Sequence, residues 1–505
     1  MKKSVTFFSA QSFASVPWLV IGKVGTFVLY FIISILIVRF LSPEEYGIYR
    51  LLSSISEYLV VPCSLGLNFA LLRFIPELAT QKKIDQIRDL LRRIVGYEVI
   101  AWAAVALILF FLRGWLGSIF DIKFDIYFIP VVFLLGALVA KEFMNNSLTA
   151  FYFSKTLMVF SLIQAFFLLT GLLLLKYVEV LSIGQILILY ASSILIVSIF
   201  SSFKLKKQLE KHGLNNGKIS RSRLFGLSLP VMVNNLANRL LEQYSEIFFL
   251  GFLTTPALVG FFALGAYLPQ LAINFFPLTL HTLFTSAFSE SYAKDEECLP
   301  HLMKGMYQML IFIALPMAAY GLFNSPELIV MIYGIKMAAA GPVASFFSAF
   351  SLLPLIWIPL SMAITAKELV KKTVWMSFLP LMVNLPLDYI FIKYFGLNGA
   401  MMAIATTYFL TMPMKLGYLY NLLGTLSFPL LFFLKIAAVS LTCAAFVRMW
   451  VPTVSPTLFA VSLLLYISLG FLFIKFLPIV KKEDILHFES IGSASFNRFL
   501  NFVVK

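Results

Sequence analysis

Long apolar runs follow one another along the whole chain, separated by short polar segments. Each run is roughly 18 or more residues long, enough for a helix to cross the hydrocarbon core of a bilayer. The pattern predicts an all-α, polytopic membrane protein with about fourteen transmembrane helices. The predicted spans lie near residues 13–38, 48–72, 94–112, 127–152, 157–176, 182–203, 226–252, 257–284, 305–323, 342–364, 373–392, 399–420, 428–450 and 455–477.

The polar segment SPEEYG at residues 42–47 has the pattern of a helix start. Ser42 is a typical N-cap residue, Pro43 fits the first helical position, and Glu45 completes a capping box. The segment TTPALVG at residues 254–260 repeats the cap and the proline without the acidic residues. We interpret both segments as corners on the outer side of the membrane.

A shift of 213 residues relates the two corners and also aligns polar positions in the spans that follow. Six spans separate the equivalent positions, an even number, so both copies have the same orientation in the membrane. This indicates two parallel repeats, each a six-helix lobe, related by an axis along the membrane normal. The aligned pairs are Pro43 with Pro256, Gly47 with Gly260, Glu57 with Gln270, and Glu77 with Glu290.

Polar side chains follow helical spacing along spans 1, 2, 7 and 8, which are equivalent in the two repeats. Such stripes are costly in hydrocarbon unless they face a cavity or a partner, so one water-filled cavity between the lobes explains all four. The stripes comprise Ser12, Ser15, Lys23, Thr26, Tyr30 and Ser34; Arg50, Ser53, Glu57, Ser64 and Asn68; Asn234, Asn235, Asn238, Arg239, Glu242 and Glu246; and Tyr267, Gln270, Asn274, His281 and Thr285.

Some of these residues also have a structural interpretation. A lysine near the centre of a span, such as Lys23, is the hardest to explain in that way, because burying its charge costs several kcal/mol. The structural alternatives are an ion pair of Arg239 with Glu242 on one helix, extension of Arg50 to the outer headgroups, a polar pair of Lys141 with Glu142 on span 4, and a hydrogen-bonded core role for His281.

Composition agrees with this interpretation, since 60% of the 505 residues are hydrophobic, 12% are charged, and the mean hydropathy is +0.92. These values exclude an ordinary soluble domain. The net charge of +15 is concentrated in alternate gaps between spans, at 82–93, 204–223 and 367–372, and in the tail at 481–482. This positive-inside pattern places both termini in the cytoplasm.

The polar segments also indicate how the chain is organised. Residues 76–93 form an amphipathic helix with Ile84, Ile87, Leu90 and Leu91 on one side, which we expect to lie on the inner membrane surface. The predicted divisions are an N-terminal lobe at 1–203, a cytoplasmic linker at 204–224, a C-terminal lobe at 225–422, two additional transmembrane helices at 423–478, and a cytoplasmic tail at 479–505.

Chemistry-bearing motifs are sparse. Cys63, Cys298 and Cys443 have no metal-ligand spacing, and the chain has neither a phosphate-binding loop nor a catalytic constellation. We therefore expect no enzymatic activity, no metal and no cofactor. The distribution of the basic residues points to membrane lipids rather than nucleic acid as the partner.

Three segments of the chain resemble segments of polysaccharide (O-antigen type) flippases. They are RFLSPEEYGIYRLL (39–52), LGLNFALLRFIPELA (65–79) and YFGLNGAMMA (394–403). These flippases belong to the multidrug/oligosaccharidyl-lipid/polysaccharide exporter superfamily. The resemblance implies two pseudo-symmetric six-helix lobes plus two C-terminal helices around a central cavity. It also implies export of a polyprenyl-diphosphate-linked oligosaccharide across the cytoplasmic (inner) membrane for cell-surface polysaccharide biosynthesis. Polysaccharide polymerase and glycosyltransferases would be the protein partners.

Under this resemblance, the polar residues of the spans take specific roles. Cations suit the diphosphate, amides and hydroxyls suit the sugars, and buried carboxyls suit coupling to an ion. The predicted substrate-binding residues are Lys23, Arg50, Asn234, Asn235, Asn238, Arg239, Tyr267 and Gln270, and the coupling candidates are Glu57, Glu242 and Glu246.

Two alternatives remain open. A cation-coupled multidrug antiporter of the same superfamily would have about twelve spans and an acidic residue on span 1, where this chain has Lys23. A membrane glycosyltransferase or polymerase would have a large outer loop with catalytic carboxylates, and the outer gaps here are mostly short.

Overall fold

The computed structural model of the protein describes residues 24–81, 83–209, 220–241, 245–294, 296–451 and 455–476. All regular structure in these ranges is helical, which confirms the all-α prediction. The helices are α1 (Val24–Phe40), α2 (Pro43–Ser64), α3 (Leu67–Thr80), α4 (Ile84–Phe120), α5 (Phe124–Ala150), α6 (Ser154–Tyr177), α7 (Ile183–Leu209), α8 (Arg221–Arg239), α9 (Ser245–Leu253), α10 (Pro256–Lys294), α11 (Leu299–Tyr333), α12 (Gly341–Phe350), α13 (Trp357–Ala366), α14 (Val370–Thr373), α15 (Trp375–Leu423), α16 (Leu430–Trp450) and α17 (Pro456–Phe476).

The described chain contains ten helical segments long and apolar enough to cross a membrane, with α15 counted once, or eleven if α2 and α3 form one bent span. Large apolar side chains cover their outer surfaces; on α4, for example, Ile100 is 68% exposed and Phe111 is 76% exposed. An exposed apolar surface of this extent belongs in lipid rather than in water. The protein is therefore a multi-pass membrane protein, while the number fourteen remains a prediction.

The chain forms two compact units, Met1–Val259 and Gly260–Lys505. Helices α1–α9 belong to the first unit and α11–α17 to the second, and the boundary lies near the start of α10. These units are defined by which helices contact one another, whereas the predicted lobes are defined by the repeat in the sequence. The lobes, the linker and the repeat therefore remain predictions.

The corner at residues 42–47 has the capping box expected from its sequence. α2 begins at Pro43, and the backbone N–H of Glu45 donates to Ser42 Oγ at 3.2 Å. In return, the backbone N–H of Ser42 donates to Glu45 Oε2 at 2.8 Å. Both bonds satisfy amide groups that a helix start leaves without intrahelical partners. α10 likewise begins at the proline expected from the sequence, Pro256.

The second predicted span is broken into two helices. α2 and α3 meet at a bend of 50°, and the intervening Leu65 and Gly66 have φ values of 50° and 67°. A Cβ atom on Gly66 would lie 2.2 Å from the carbonyl oxygen of Ser228 on α8. Glycine is therefore needed at position 66 for its backbone conformation and for the close approach of α8.

Residues 76–93 do not form the single amphipathic helix expected from the sequence, because α3 ends at Thr80 and α4 begins at Ile84. The apolar side of residues 84–93 packs against other helices, while the place of this segment on the inner membrane surface remains a prediction. The segment forms the first turns of α4, which continues unbroken to Phe120. Its apolar residues Ile84, Ile87, Leu90 and Leu91 are buried in a core cluster with Phe74 of α3 and Phe143 of α5. An apolar stripe in the sequence indicates burial, but the stripe alone does not distinguish protein from lipid as the covering surface.

In the second unit, α11 packs against α12, α13 and α16, and α16 packs against α17. The hydroxyl of Tyr320 on α11 forms a hydrogen bond of 2.6 Å with Ser462 Oγ on α17. Arg448 of α16 forms an ion pair with Glu327 of α11. These contacts fasten the two C-terminal helices onto α11 within this unit.

α15 is a helical hairpin rather than one straight helix. Gly396 has non-helical dihedral angles of φ 55° and ψ −126°. A Cβ atom on Gly399 would lie 2.0 Å from the carbonyl oxygen of Phe391. Thr407 Oγ1 donates to Asn384 Oδ1 at 2.8 Å across 23 residues, which a straight helix would separate by about 34 Å. The chain therefore reverses at Gly396, in agreement with the two spans predicted there.

Candidate functional site

The residues proposed from the sequence are distributed over both units. Arg50 and Glu57 lie on α2; Asn234, Asn235, Asn238 and Arg239 on α8; Glu246 on α9; and Tyr267 and Gln270 on α10. Tyr267 and Gln270 belong to the second unit and the others to the first. Lys23 and Glu242 fall outside the described residues. The geometry of the candidate site is therefore described in the first unit.

Arg239 connects three helices of the first unit. It is the last residue of α8, and its Nη1 donates to the backbone carbonyl oxygen of Glu57 on α2 at 3.1 Å. Its positive charge also acts on the carboxyl of Glu142 on α5. Arg239 is part-buried, and its proposed pairing with Glu242 on the same helix falls outside the described residues. The guanidinium is thus a cation that a hydrogen bond holds against α2 and whose charge reaches Glu142 on α5.

Three asparagines precede Arg239 on α8. Asn234 and Asn238 are part-buried and Asn235 is exposed. Residues four apart share a helix face, so Asn234 and Asn238 lie one above the other. In the described part of the chain, Asn234 Oδ1 is enclosed without a hydrogen-bond partner. An amide both donates and accepts, so this stretch can bind a polar, hydroxyl-rich ligand.

α2 places Arg50 and Glu57 about two turns apart on one face. Both side chains act electrostatically on Tyr49, and so does Tyr190 of α7. The Nε atom of Arg50 is inaccessible to solvent. This burial favours a role for Arg50 inside the unit over its extension to the headgroups.

The remaining candidates are less exposed than a surface role would require. Glu246 lies in the first turn of α9 and is 2% exposed. The unpaired amide groups of a helix start stabilise a carboxylate at this position. Tyr267 and Gln270 are both part-buried on α10. The substrate and coupling roles of all these residues remain predictions.

One buried acidic residue of the first unit, Glu98, was not predicted from the sequence as a candidate. Glu98 on α4 is 3% exposed. The charge of Glu142 on α5 acts on its carboxyl, and the side chain of Asn68 on α3, which is also 3% exposed, lies next to it. The signal was visible in the sequence, because Glu98 is an ionisable residue inside the span predicted near 94–112. It was missed because span 3 has no polar stripe around it.

Lys141 and Glu142 face different surroundings and do not form the structural pair considered above. Lys141 Nζ lies 5.9 Å from the ring centroid of Tyr190. It lines a cavity of about 20 Å³, together with Asn145 and Gln164. A cavity of this size holds about one water molecule. Glu142, in contrast, interacts with Glu98 and with Arg239.

At the other end of α8, Arg223 connects this helix to α3. Its Nη2 donates to both carboxylate oxygens of Glu77, at 3.0 and 3.1 Å. The guanidinium carbon lies 4.9 Å from the ring centroid of Phe74. The Arg223 and Glu77 side chains are 52% and 34% exposed, so the ion pair contributes less than about 1 kcal/mol. Arg223, Gly66 and Arg239 together hold α8 along its length.

Comparison with solved structures shows which class of protein has this fold. The structure of a lipid II flippase MurJ in an inward closed conformation matches with a TM-score of 0.71 and 16% identity, over 90% of this chain and 97% of that chain. An inward-facing multidrug resistance MATE family transporter of the MOP superfamily matches with a TM-score of 0.65 and 12% identity, over 81% and 98%. A MOP superfamily transporter from Pyrococcus furiosus matches with a TM-score of 0.57 and 13% identity, over 82% and 96%. The protein has the fold of this transporter class.

A comparison with protein-family models assigns the chain more specifically than the fold does. The model of the polysaccharide biosynthesis protein family matches residues 36–342, more than half of the chain. The protein belongs to this family, and the resemblance inferred from segments 39–52 and 65–79 is confirmed. No curated protein matches its sequence.

Proposed function

We propose that the protein is a flippase that moves a polyprenyl-diphosphate-linked oligosaccharide from the inner to the outer leaflet by alternating access. Membership of a polysaccharide biosynthesis family supports a saccharide substrate. The fold, which recurs in a lipid II flippase and in drug transporters, supports movement across the membrane as the activity.

Arg239 is the observation that carries this proposal. A guanidinium inside a membrane-spanning unit is costly, and such residues commonly mark the pathway of a substrate or an ion. A diphosphate is an anion that a guanidinium binds with strong, charge-assisted hydrogen bonds. In this account Arg50 and Lys23 supply further positive charge. Asn235 and Asn238 bind sugar hydroxyls, and the sugar-binding roles of Tyr267 and Gln270 remain predictions from the sequence.

The orientation follows from the basic segments. With 82–93 and 204–223 in the cytoplasm, both termini are cytoplasmic and the corner at 42–47 faces outward. In a bacterial cell the membrane would be the cytoplasmic (inner) membrane. Glycosyltransferases would supply the lipid-linked substrate on one side, and a polysaccharide polymerase would consume it on the other.

Complementation tests the proposal. A bacterial strain that lacks its own flippase and makes defined lipid-linked oligosaccharides should regain surface polysaccharide when this protein is expressed. Arg239→Ala should fail to restore it, whereas Arg221→Ala, a change at an exposed position on the same helix, should restore it. Equal restoration by both variants, at equal amounts in the membrane, would contradict the role of Arg239.

A multidrug antiporter is the second candidate. The fold similarity to MATE transporters supports it, and so do the buried carboxyls of Glu98 and Glu246, which suit a cationic ligand. The same strains distinguish the two functions. Antiport would raise resistance to cationic dyes without restoring polysaccharide.

A further inference from the structure

Four helices of the first unit bring polar side chains together in its interior. Glu98 comes from α4, Glu142 from α5, Asn68 from the first turn of α3, and Cys63 from the last turn of α2. The charge of Glu142 acts on Glu98, the amide of Asn68 lies within reach of the Glu98 carboxyl, and Glu98 acts on the Cys63 thiol. Glu98 and Asn68 are 3% exposed and Cys63 is fully buried.

Several atoms of this cluster are enclosed without hydrogen-bond partners. Within the described ranges these atoms are Oε1 of Glu98, Oε2 of Glu142, and both Nδ2 and Oδ1 of Asn68. Leaving such atoms unsatisfied is costly, so a buried acceptor without a partner calls for a ligand or a proton. Asn68 lies beside Glu98 and adds an amide oxygen to the carboxylate oxygens. All are hard ligands of the kind that small, weakly polarisable cations prefer.

The charges of the cluster do not balance. The cluster contains two carboxyls, and the charge of Arg239 acts on one of them, that of Glu142. With both carboxyls ionised, the three groups carry a net charge of −1. Lys141, the sequence neighbour of Glu142, lies over Tyr190 in a separate cavity.

Many other charged groups on the surrounding helices form ion pairs of their own, Arg88 with Asp85, Arg93 with Asp89, Arg113 with Asp125 and Arg223 with Glu77. Arg73 on α3 is exposed. Arg50 and Glu57 on α2 share the environment of Tyr49, and the backbone carbonyl of Glu57 accepts from Arg239.

We propose that Glu98, Glu142 and Asn68 form a binding site for one monovalent cation, Na⁺ or a proton, and that Arg239 competes with this cation for Glu142. One positive charge would neutralise the cluster. Either cation also satisfies the enclosed oxygens, Na⁺ by coordination and a proton by making one carboxyl a hydrogen-bond donor.

The position of the site at a helix break supports the proposal independently. Asn68 follows the bend between α2 and α3, where the regular hydrogen bonding of α2 ends. Broken spans of transporters use such helix ends to hold coupling ions. Gly66 at the same break lies against the backbone of α8, the helix that ends in Arg239. A change at the cation site and a movement of α8 therefore affect each other.

A coupling mechanism follows, and it rests on the proposed function. A bound diphosphate draws the guanidinium of Arg239 away from Glu142. The carboxyl pair then lacks its positive neighbour and binds the cation more tightly. Because such coupling is reciprocal, a bound cation also favours binding of the diphosphate.

Cation binding can be measured on the full chain in lipid nanodiscs without any substrate. Binding of radioactive Na⁺ is followed at constant ionic strength with choline as the replacement ion, and proton uptake is followed in sodium-free solution. The wild-type protein should bind about one Na⁺ per chain or take up about one proton at this site. Glu98→Gln should weaken that binding at least about tenfold, equivalent to about 1.4 kcal/mol. Glu44→Gln, the same change at an exposed corner residue, should leave it unchanged.

Arg239→Gln distinguishes loss of the site from damage to the fold. Removing the guanidinium that competes with the cation should tighten cation binding several-fold, whereas general damage to the fold would weaken it. If Glu98→Gln does not fold, the test uses two other variants. Asn68→Ala should weaken cation binding and Arg239→Gln should strengthen it. Cation binding equal in wild type, Asn68→Ala and Arg239→Gln would overturn the proposal. Intact cation binding in a protein that moves no lipid-linked oligosaccharide would instead refute the proposed function and leave the site standing.

Discussion

A guanidinium enclosed among membrane-spanning helices needs an acceptor in every state of the protein. Nη1 of Arg239 donates to the backbone carbonyl of Glu57 at 3.1 Å, and the positive charge of the guanidinium acts on the carboxyl of Glu142. The carbonyl is fixed in α2, whereas the carboxyl can be neutralised by another cation. This difference explains how one arginine can be held in place and still be available to an anionic substrate.

The second unit has a buried polar chain of a different kind. Thr407 Oγ1 donates to Asn384 Oδ1 at 2.8 Å, and Asn384 Nδ2 donates to Asp388 Oδ2 at 2.6 Å. Thr407→Val would remove the donor and leave the enclosed Asn384 oxygen with one bond fewer, at a cost of about 1–3 kcal/mol. We expect a lower thermal midpoint in detergent for this variant. Thr406→Val is the matched control, and an equal loss in both variants would contradict the importance of this bond.

At the scale of elements, glycines decide where helices break and how closely they approach. The apolar pattern predicted one span at 48–72 because hydropathy registers only the continuity of apolar residues. The bend between Leu65 and Gly66 depends on positive φ values and on contact with Ser228. That contact joins positions more than 150 residues apart, which a local pattern does not report. The capping box at Ser42, in contrast, is local and was predicted correctly.

Gly66→Ala tests the close approach of α8. An alanine would carry the strain of φ +67° and place its Cβ 2.2 Å from the Ser228 oxygen. We expect a loss of more than about 2 kcal/mol of stability, seen as a reduced thermal midpoint and a reduced yield of monodisperse protein. Gly226→Ala on α8 meets open space and should be neutral or stabilising by up to about 1 kcal/mol. Equal behaviour of the two variants would show that α8 does not pack at Gly66.

The hairpin in α15 predicts on which side of the membrane its two ends and its turn lie. Because the chain reverses at Gly396, positions 372 and 421 should lie on one side of the membrane and position 394 on the other. Single cysteines at Lys372, Asn421 and Tyr394, all exposed, can be labelled with an impermeant reagent in a Cys298→Ser background. Labelling of 372 and 421 from opposite sides would mean that α15 crosses the membrane an odd number of times.

At the scale of the whole molecule, the sequence predicted the class of protein better than it predicted the site. Membrane insertion follows from apolar runs that any window along the chain detects. The site depends on which helix faces pack together, and the stripes on α2 and α8 indicated Arg50, Glu57 and Arg239 because several polar residues recur there. Glu98 has no polar neighbours at helical spacing on α4, so its partners on α3 and α5 became visible only in the structure.

The energy source follows from charge. The chain has no nucleotide-binding loop, so we expect transport without ATP. A headgroup with about two negative charges moves outward down an inside-negative potential, worth roughly 2.3 kcal/mol per charge per 100 mV if it crosses the full field. The cationic side chains move back when the protein returns to its starting conformation. The net electrical free energy of a cycle therefore comes from the substrate and from any cation bound at Glu98 and Glu142.

Reconstituted transport tests the central claim most directly. Liposomes containing the purified protein and a fluorescent polyprenyl-diphosphate oligosaccharide are assayed for the fraction of headgroups that reach the opposite leaflet, without ATP and with an imposed potential. The account predicts transport by the wild-type protein that accelerates when the donor side is negative, transport by Arg221→Ala at the wild-type rate, and a rate for Arg239→Ala close to that of protein-free liposomes. A wild-type rate no faster than that of protein-free liposomes, or an unchanged rate for Arg239→Ala, would contradict it.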